Sequence, residues 1–96
     1  MKISFEWHSN KAITNKKKHR ISFEEAQTAF CDENALIIDD PGHSDEEERF
    51  ILLGVSALRH LLVVCHCYRK EDKIIRIISA RKATKKESIQ YYGDQL

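Results

Sequence analysis

"HLLVVCHCYRKEDKIIRIISA", residues 60–80, decides how this chain folds. Two apolar runs rich in β-branched residues flank the polar connection "RKED", at 69–72, and each is too short for a typical helix. That layout predicts a β-hairpin. Side chains alternate between the faces of a strand. Leu62, Val64, His66 and Tyr68 therefore share one face, and Leu61, Val63, Cys65, Cys67 and Arg69 share the other. In the second run Ile75, Ile77, Ser79 and Arg81 oppose Ile74, Arg76, Ile78 and Ala80. An unbroken strand separates Arg76 from Arg81, whereas a bulge near Ser79, or helix-like geometry by Arg81, brings both to one surface. An arginine is costly to bury unpaired, so a site lined by cations is expected.

Working outward, "KISFEW" alternates with Ile3, Phe5 and Trp7 on one side, the period of a half-buried strand. Ser9 or Asn10 is positioned to cap a short basic helix, "KAITNKKKH", with a narrow apolar stripe of Ala12, Ile13 and the Lys16 stem. Ser22 and Glu25 read as a capping box opening a helix over 23–31, with Phe23, Ala26, Gln27 and Phe30 on its inner face. "ALIID" reads as a strand, Pro41–Gly42 as its turn, and "ERFILLGVS" as the returning strand. Thr84 and Glu87 form a second capping box, before a last helix that turns Ile89 and Tyr91 or Tyr92 to the core. The order β-α-α-β-β-β-β-α predicts an α+β domain, with helices packed on one face of a mainly antiparallel sheet.

The 96 residues suit a single domain, 1–96, and the 42% hydrophobic share is ordinary for a globular chain. No apolar run is long enough to span a bilayer, and "MKISFEWHSN" lacks the layout of a signal peptide. A cytoplasmic protein with no membrane partner is expected, and Cys31, Cys65 and Cys67 read as thiols rather than a disulfide framework. "CHC" is a poor zinc signal, because Cys65 and Cys67 point away from His66 on a regular strand. No metal or cofactor is expected.

The net charge of +1 conceals blocks of alternating sign. Residues 1–23 hold six lysines and arginines against Glu6, and residues 24–50 hold ten acids against Arg49. Residues 59–86 then hold nine cations against Glu71 and Asp72. Such segregation offers one surface to a polyanion, and the acidic region 39–48 to a basic partner or a second copy.

Three segments carry a resemblance over nearly the whole chain: "FEWHSNKAITNKKKHRISFEEAQTAF", "HSDEEERFILLGVS" and "LLVVCHCYRKEDKIIRIISARKATKKE". Together, and above all in "NKKKHRISFEEA" and "RIISARKAT", they resemble the BrnT family of toxins from type II toxin–antitoxin systems. The resemblance implies a RelE-like fold and a ribonuclease that inhibits translation. It also implies a BrnA-type antitoxin, an antitoxin complex that binds operator DNA, and a possible homodimer within a heterotetramer. Relatives often have glutamate where this chain has Tyr68.

Metal-independent cleavage turns the RNA's own 2′-hydroxyl on the adjacent phosphate. It needs a base, an acid and cations for the phosphorane. Arg69 and Arg81 are the first candidates for a phosphate clamp, because a guanidinium presents a planar fork of donors. Arg76 and Lys82 follow them. His66 titrates near neutral pH and suits either proton role. Tyr68 suits the same roles if neighbouring cations lower its pKa, or it can stack on a base. Lys16, Lys17, Lys18, His19, Lys85 and Lys86 are candidates for holding the RNA backbone.

Structural roles compete with each assignment. Arg76 can pair with Glu48 or Asp40, His19 can favour a helix C-terminus, and His66 can be a satisfied core residue. A non-catalytic RNA- or protein-binding module of the same fold is the alternative function.

Overall fold

The two apolar runs pair as predicted in a computed structural model that describes residues 3–39 and 48–93. The elements in chain order are β1 (Ser4–Glu6), α1 (Ser9–His19), α2 (Phe23–Thr28), a 3₁₀ turn (Ala29–Cys31), β2 (Leu36–Asp39), β3 (Phe50–Val55), β4 (Leu61–Arg69), β5 (Ile74–Lys82) and α3 (Lys85–Tyr92). The expected Pro41–Gly42 turn lies outside the described residues. The fold is α+β, with one five-stranded sheet of order β1-β5-β4-β3-β2. β1 runs parallel to β5, and the other three pairings are antiparallel. No helix among the described residues is long and apolar enough to cross a membrane.

The core lies on one face, where Ile21, Phe23, Ala26 and Ala29 pack on Leu52, Leu62, Val64, Ile77 and Ala80. Phe5 and Trp7 extend it edge-on against Phe30 and Phe23. Gly54 admits the 3₁₀ turn onto β3, since a Cβ there would lie 3.0 Å from the Ala29 carbonyl oxygen.

α1 departs from the sequence reading both in its cap and in the face it buries. His8 occupies the N-cap position without a side-chain hydrogen bond, in place of Ser9 or Asn10. Ile13 is 55% exposed, while Asn15 is only 6% exposed. The physical reason is a missing strand. β1 pairs only with Ile74–Arg76, so on the side away from β4 no strand among the described residues reaches β5 at Ala80. Asn15 supplies one: its Nδ2 donates to the Ala80 and Ile21 carbonyls at 2.9 Å each, and its Oδ1 accepts from the Ala80 N–H at 3.0 Å. A single amide thus satisfies the peptide donor and acceptor that would otherwise be buried and orphaned.

Ser22 caps α2 by accepting from the Glu25 N–H at 3.0 Å. The expected reciprocal bond is replaced by an inward one. The buried Glu25 carboxylate accepts from the Ser56 hydroxyl at 2.6 Å and meets His60 Nδ1 at 2.7 Å, tying α2 to the β3–β4 turn.

The helices divide between the two faces, which corrects the one-face expectation. Glu87 and Gln90 of α3 border a hollow with Leu36, Ile38, Ile51, Leu53 and Val63, on the face opposite the core. α3 buries no residue, and Ile89 and Tyr92 are exposed rather than turned to a core. Polar pins hold it instead. Thr84 and Glu87 form the expected capping box, Arg81 grips both Glu87 oxygens at 2.9 Å, and the Tyr91 hydroxyl donates to Asp32.

The Arg81 fork and the Thr84 donors hold the Glu87 carboxyl at a pKa of about 2. Its ordinary value is 4.5, so its stabilising contribution is complete above that pH and is lost as pH falls through about 2. α3 is therefore expected to loosen between those limits, seen in the near-ultraviolet dichroism of Tyr91 and Tyr92. Arg81→Ala should remove this acid transition and cost about 1 kcal/mol or less, because the pair is partly exposed.

Candidate functional site

The β4–β5 register brings the scattered arginines together. Cys65 pairs with Ser79 but His66 with Ile77, so Ile78 is an extra residue bulged out of β5. The bulge resets the alternation, and Arg76, Ser79 and Arg81 all face the side that carries Val63, Cys65, Cys67 and Arg69. Of the two alternatives open in the sequence, the strand with a bulge is the one found.

β1 adds a residue that the sequence reading passed over. Its parallel register sets Glu6 beside Arg76, which in turn sits beside Cys67. Glu6 Oε2 accepts from Arg76 Nε at 2.9 Å and lies 3.5 Å from Arg69 Nε. Arg76 thus takes its carboxylate from β1 rather than from Glu48, and Asp40 lies outside the described residues. The only hint of Glu6 in the sequence was its place on the polar side of "KISFEW". One partly exposed carboxylate held beside two guanidiniums is an arrangement able to accept a proton next to a bound phosphate.

Arg81 stands on the same face, with both terminal nitrogens engaged by Glu87. This pairing raises the guanidinium pKa and outweighs the lowering effect of its partial burial.

His66 and Tyr68 occupy the opposite face. His66 is 0% exposed, enclosed by the rings of Phe30, Phe50 and Tyr68. Its Nδ1 lies 3.1 Å from the Val64 carbonyl oxygen, which can only accept, so the network assigns the proton to Nδ1. Nε2 then accepts from the Tyr68 hydroxyl at 3.3 Å. Burial lowers the His66 pKa below 6.5 and keeps the ring neutral. Burial, with Asp72 adding to it, raises that of Tyr68 above 10. The condition on which Tyr68 would trade protons, a pKa lowered by neighbouring cations, is therefore not met, and the phenol keeps its proton at neutral pH. In this arrangement His66 offers no surface to a substrate; it orients the hydroxyl of Tyr68.

The lysines fall into separate groups. Lys18 and His19 flank β5, whereas Lys16 and Lys17 line a different hollow facing Ser22 and Glu24. Lys82 ends β5 on the core-side face, and Lys85 and Lys86 are exposed in the first turn of α3. Among the described residues no three His, Cys, Asp or Glu side chains gather to hold a metal ion.

Over residues 7–87 the chain matches the family model described as "Ribonuclease toxin, BrnT, of type II toxin-antitoxin system". Among solved structures it is similar to the 1.1 Å crystal structure of the Brucella abortus ribonuclease toxin, BrnT. The TM-score is 0.63 at 21% identity, covering 88% of this chain and 99% of that one, a likeness that establishes the shared fold. No curated protein sequence matches the chain.

Proposed function

The chain belongs to the BrnT family of ribonuclease toxins of type II toxin–antitoxin systems, and from that premise we propose that it is a metal-independent endoribonuclease working on the arginine-bearing face of its sheet. The observation that carries this reading is the Glu6 carboxylate held beside Arg69 and Arg76. Arg69 and Arg76 bind the scissile phosphate and offset the charge that builds on its oxygens in the phosphorane. Glu6 takes the proton of the 2′-hydroxyl as that oxygen bonds to phosphorus. The bond to the 5′-oxygen then breaks, the leaving oxygen takes a proton from water, and the hydroxide so formed takes back the proton held by Glu6, which restores the carboxylate. Arg81 fastens α3 beside this surface, and Tyr68, oriented by His66, packs the reverse side of β4.

The same reading gives the chain RNA as substrate, inhibition of translation as outcome and the cytoplasm as workplace. A BrnA-type antitoxin silences it, contacts operator DNA on behalf of the complex, and completes a heterotetramer with two toxin copies. The second reading is a non-catalytic RNA- or protein-binding module of the same fold, and the observation that favours it is that Arg76 and Arg81 already hold carboxylate partners, which gives both a structural role without chemistry.

Incubating the purified chain with end-labelled RNA in excess EDTA separates these readings. Cleavage that survives the chelator and leaves cyclic-phosphate ends is the expected result. RNA that is bound but never cut, with or without added divalent ions, supports the module instead.

A further inference from the structure

We propose that the groove between α1 and the bulge of β5 is a binding subsite for the backbone phosphates of single-stranded RNA, on the flank of the cleaved bond. This assignment rests on the ribonuclease reading and adds to it a track for the substrate. The groove holds about 340 Å³ and is lined by Asn10, Lys11, Thr14, Lys18 and His19 of α1, with Ile78 and Ser79 of β5 as its floor.

Two features of the groove point to a ligand. Ser79 faces the same side of the sheet as Arg76 and Arg81, so part of the groove's floor belongs to the arginine face. The bulge at Ile78 that gathers the arginines therefore also shapes the groove. The second feature is Lys11. The first turn of α1 contains no acidic residue, although the helix dipole favours anions there and opposes a cation. Lys18 and His19 sit at the opposite end, where the dipole rewards them, but Lys11 gains nothing from its own helix. Its charge makes physical sense beside a bound anion.

The lining is suited to a backbone rather than to bases. Lys11 and Lys18 are seven residues apart, two turns and about 10 Å along one flank of the helix, and each pairs with a phosphate of the strand. Asn10, Thr14 and Ser79 offer hydrogen bonds to sugar and phosphate oxygens, while no Phe, Tyr or Trp ring stands among the described lining residues and His19 is the single ring there. Lys16 and Lys17, by contrast, border a hollow shared with Ile13, Phe23 and Glu24, and fall outside the track.

The contrast between the two lysine pairs supplies the test. A fluorescent, uncleavable 2′-O-methyl RNA dodecamer is titrated with wild type, with Lys11→Ala/Lys18→Ala and with Lys16→Ala/Lys17→Ala, over a series of KCl concentrations. Circular dichroism first establishes that each variant is folded. Each phosphate contact on a single strand contributes about 0.7 to the slope of log K against log salt. The groove variant should therefore lose about 1.4 from the slope, and the charge-matched control should lose almost nothing. Equal losses in both variants, or an unchanged slope in the groove variant, overturn the subsite. Cleavage of ordinary RNA by the wild-type chain is scored separately. Its absence, with the groove slope lost as expected, would sink the ribonuclease reading while leaving the subsite standing. A dodecamer that the wild-type chain does not bind overturns the subsite, and cleavage of ordinary RNA still decides the ribonuclease reading.

Discussion

Glu6→Gln lowers the single-turnover rate of RNA cleavage by a factor of about 10²–10⁴, the usual contribution of a positioned proton acceptor, while RNA affinity stays within about threefold. The amide keeps the shape of the side chain and can still accept from Arg76 Nε, so the arginines stay in place. What it loses is the ability to take the 2′-hydroxyl proton. A loss confined to the chemical step is the signature of an interaction made in the transition state. Arg76→Ala should act on the same step by removing a donor to the phosphorane, at a cost of about 10²–10³ in rate. It should also release Glu6 from its closest partner.

Asn15→Ala should be the most damaging polar truncation in the described chain. It removes three hydrogen bonds at once and strands the N–H and C=O of Ala80, which is itself fully buried. An orphaned buried group costs about 1–3 kcal/mol, so the expected loss is about 3 kcal/mol. For a domain of this size that corresponds to a fall in Tm of roughly 12–24 °C. A thermal melt by far-ultraviolet dichroism measures it. A fall of only a few degrees would mean that water enters and replaces the amide, and that Asn15 does not stand in for a strand.

Much of the fold was legible because local chemistry and periodicity agreed. Two β-branched runs around "RKED", the Ser22 cap and the Thr84–Glu87 box each specify their own neighbourhood. The alternation of β4 placed Tyr68 and Arg69 on opposite faces before any coordinates did, and the parity of β5 already required either a bulge or a split of Arg76 from Arg81. The misses share a different cause: they are long-range. Asn15 lies among lysines and reads as solvated until β5 is seen to lack a strand at Ala80 on the side away from β4. Glu25 reads as a reciprocal cap until Ser56 and His60 arrive from 31 and 35 residues away.

The candidate site was legible only in part, for the same reason. Arg69, Arg76 and Arg81 were recognisable as cations on strands, but the carboxylate that joins two of them comes from β1, 70 residues from Arg76. His66 drew attention by its chemistry, and nothing in its local sequence reveals that Phe30 and Phe50 close over it. α3 reads as an amphipathic helix, yet it is seated by an ion pair and a tyrosine rather than by apolar burial.

The central claim is that chemistry takes place on the arginine face and not on the face of His66 and Tyr68. The most direct measurement is the single-turnover cleavage rate of one RNA, in EDTA, by wild type, Glu6→Gln and Tyr68→Phe side by side. The account predicts a rate reduced at least about 100-fold in Glu6→Gln and within about threefold of wild type in Tyr68→Phe, whose ring still packs against Phe50 and His66. A collapse of the rate in Tyr68→Phe with Glu6→Gln fully active would contradict it and move the reaction to the other side of the sheet.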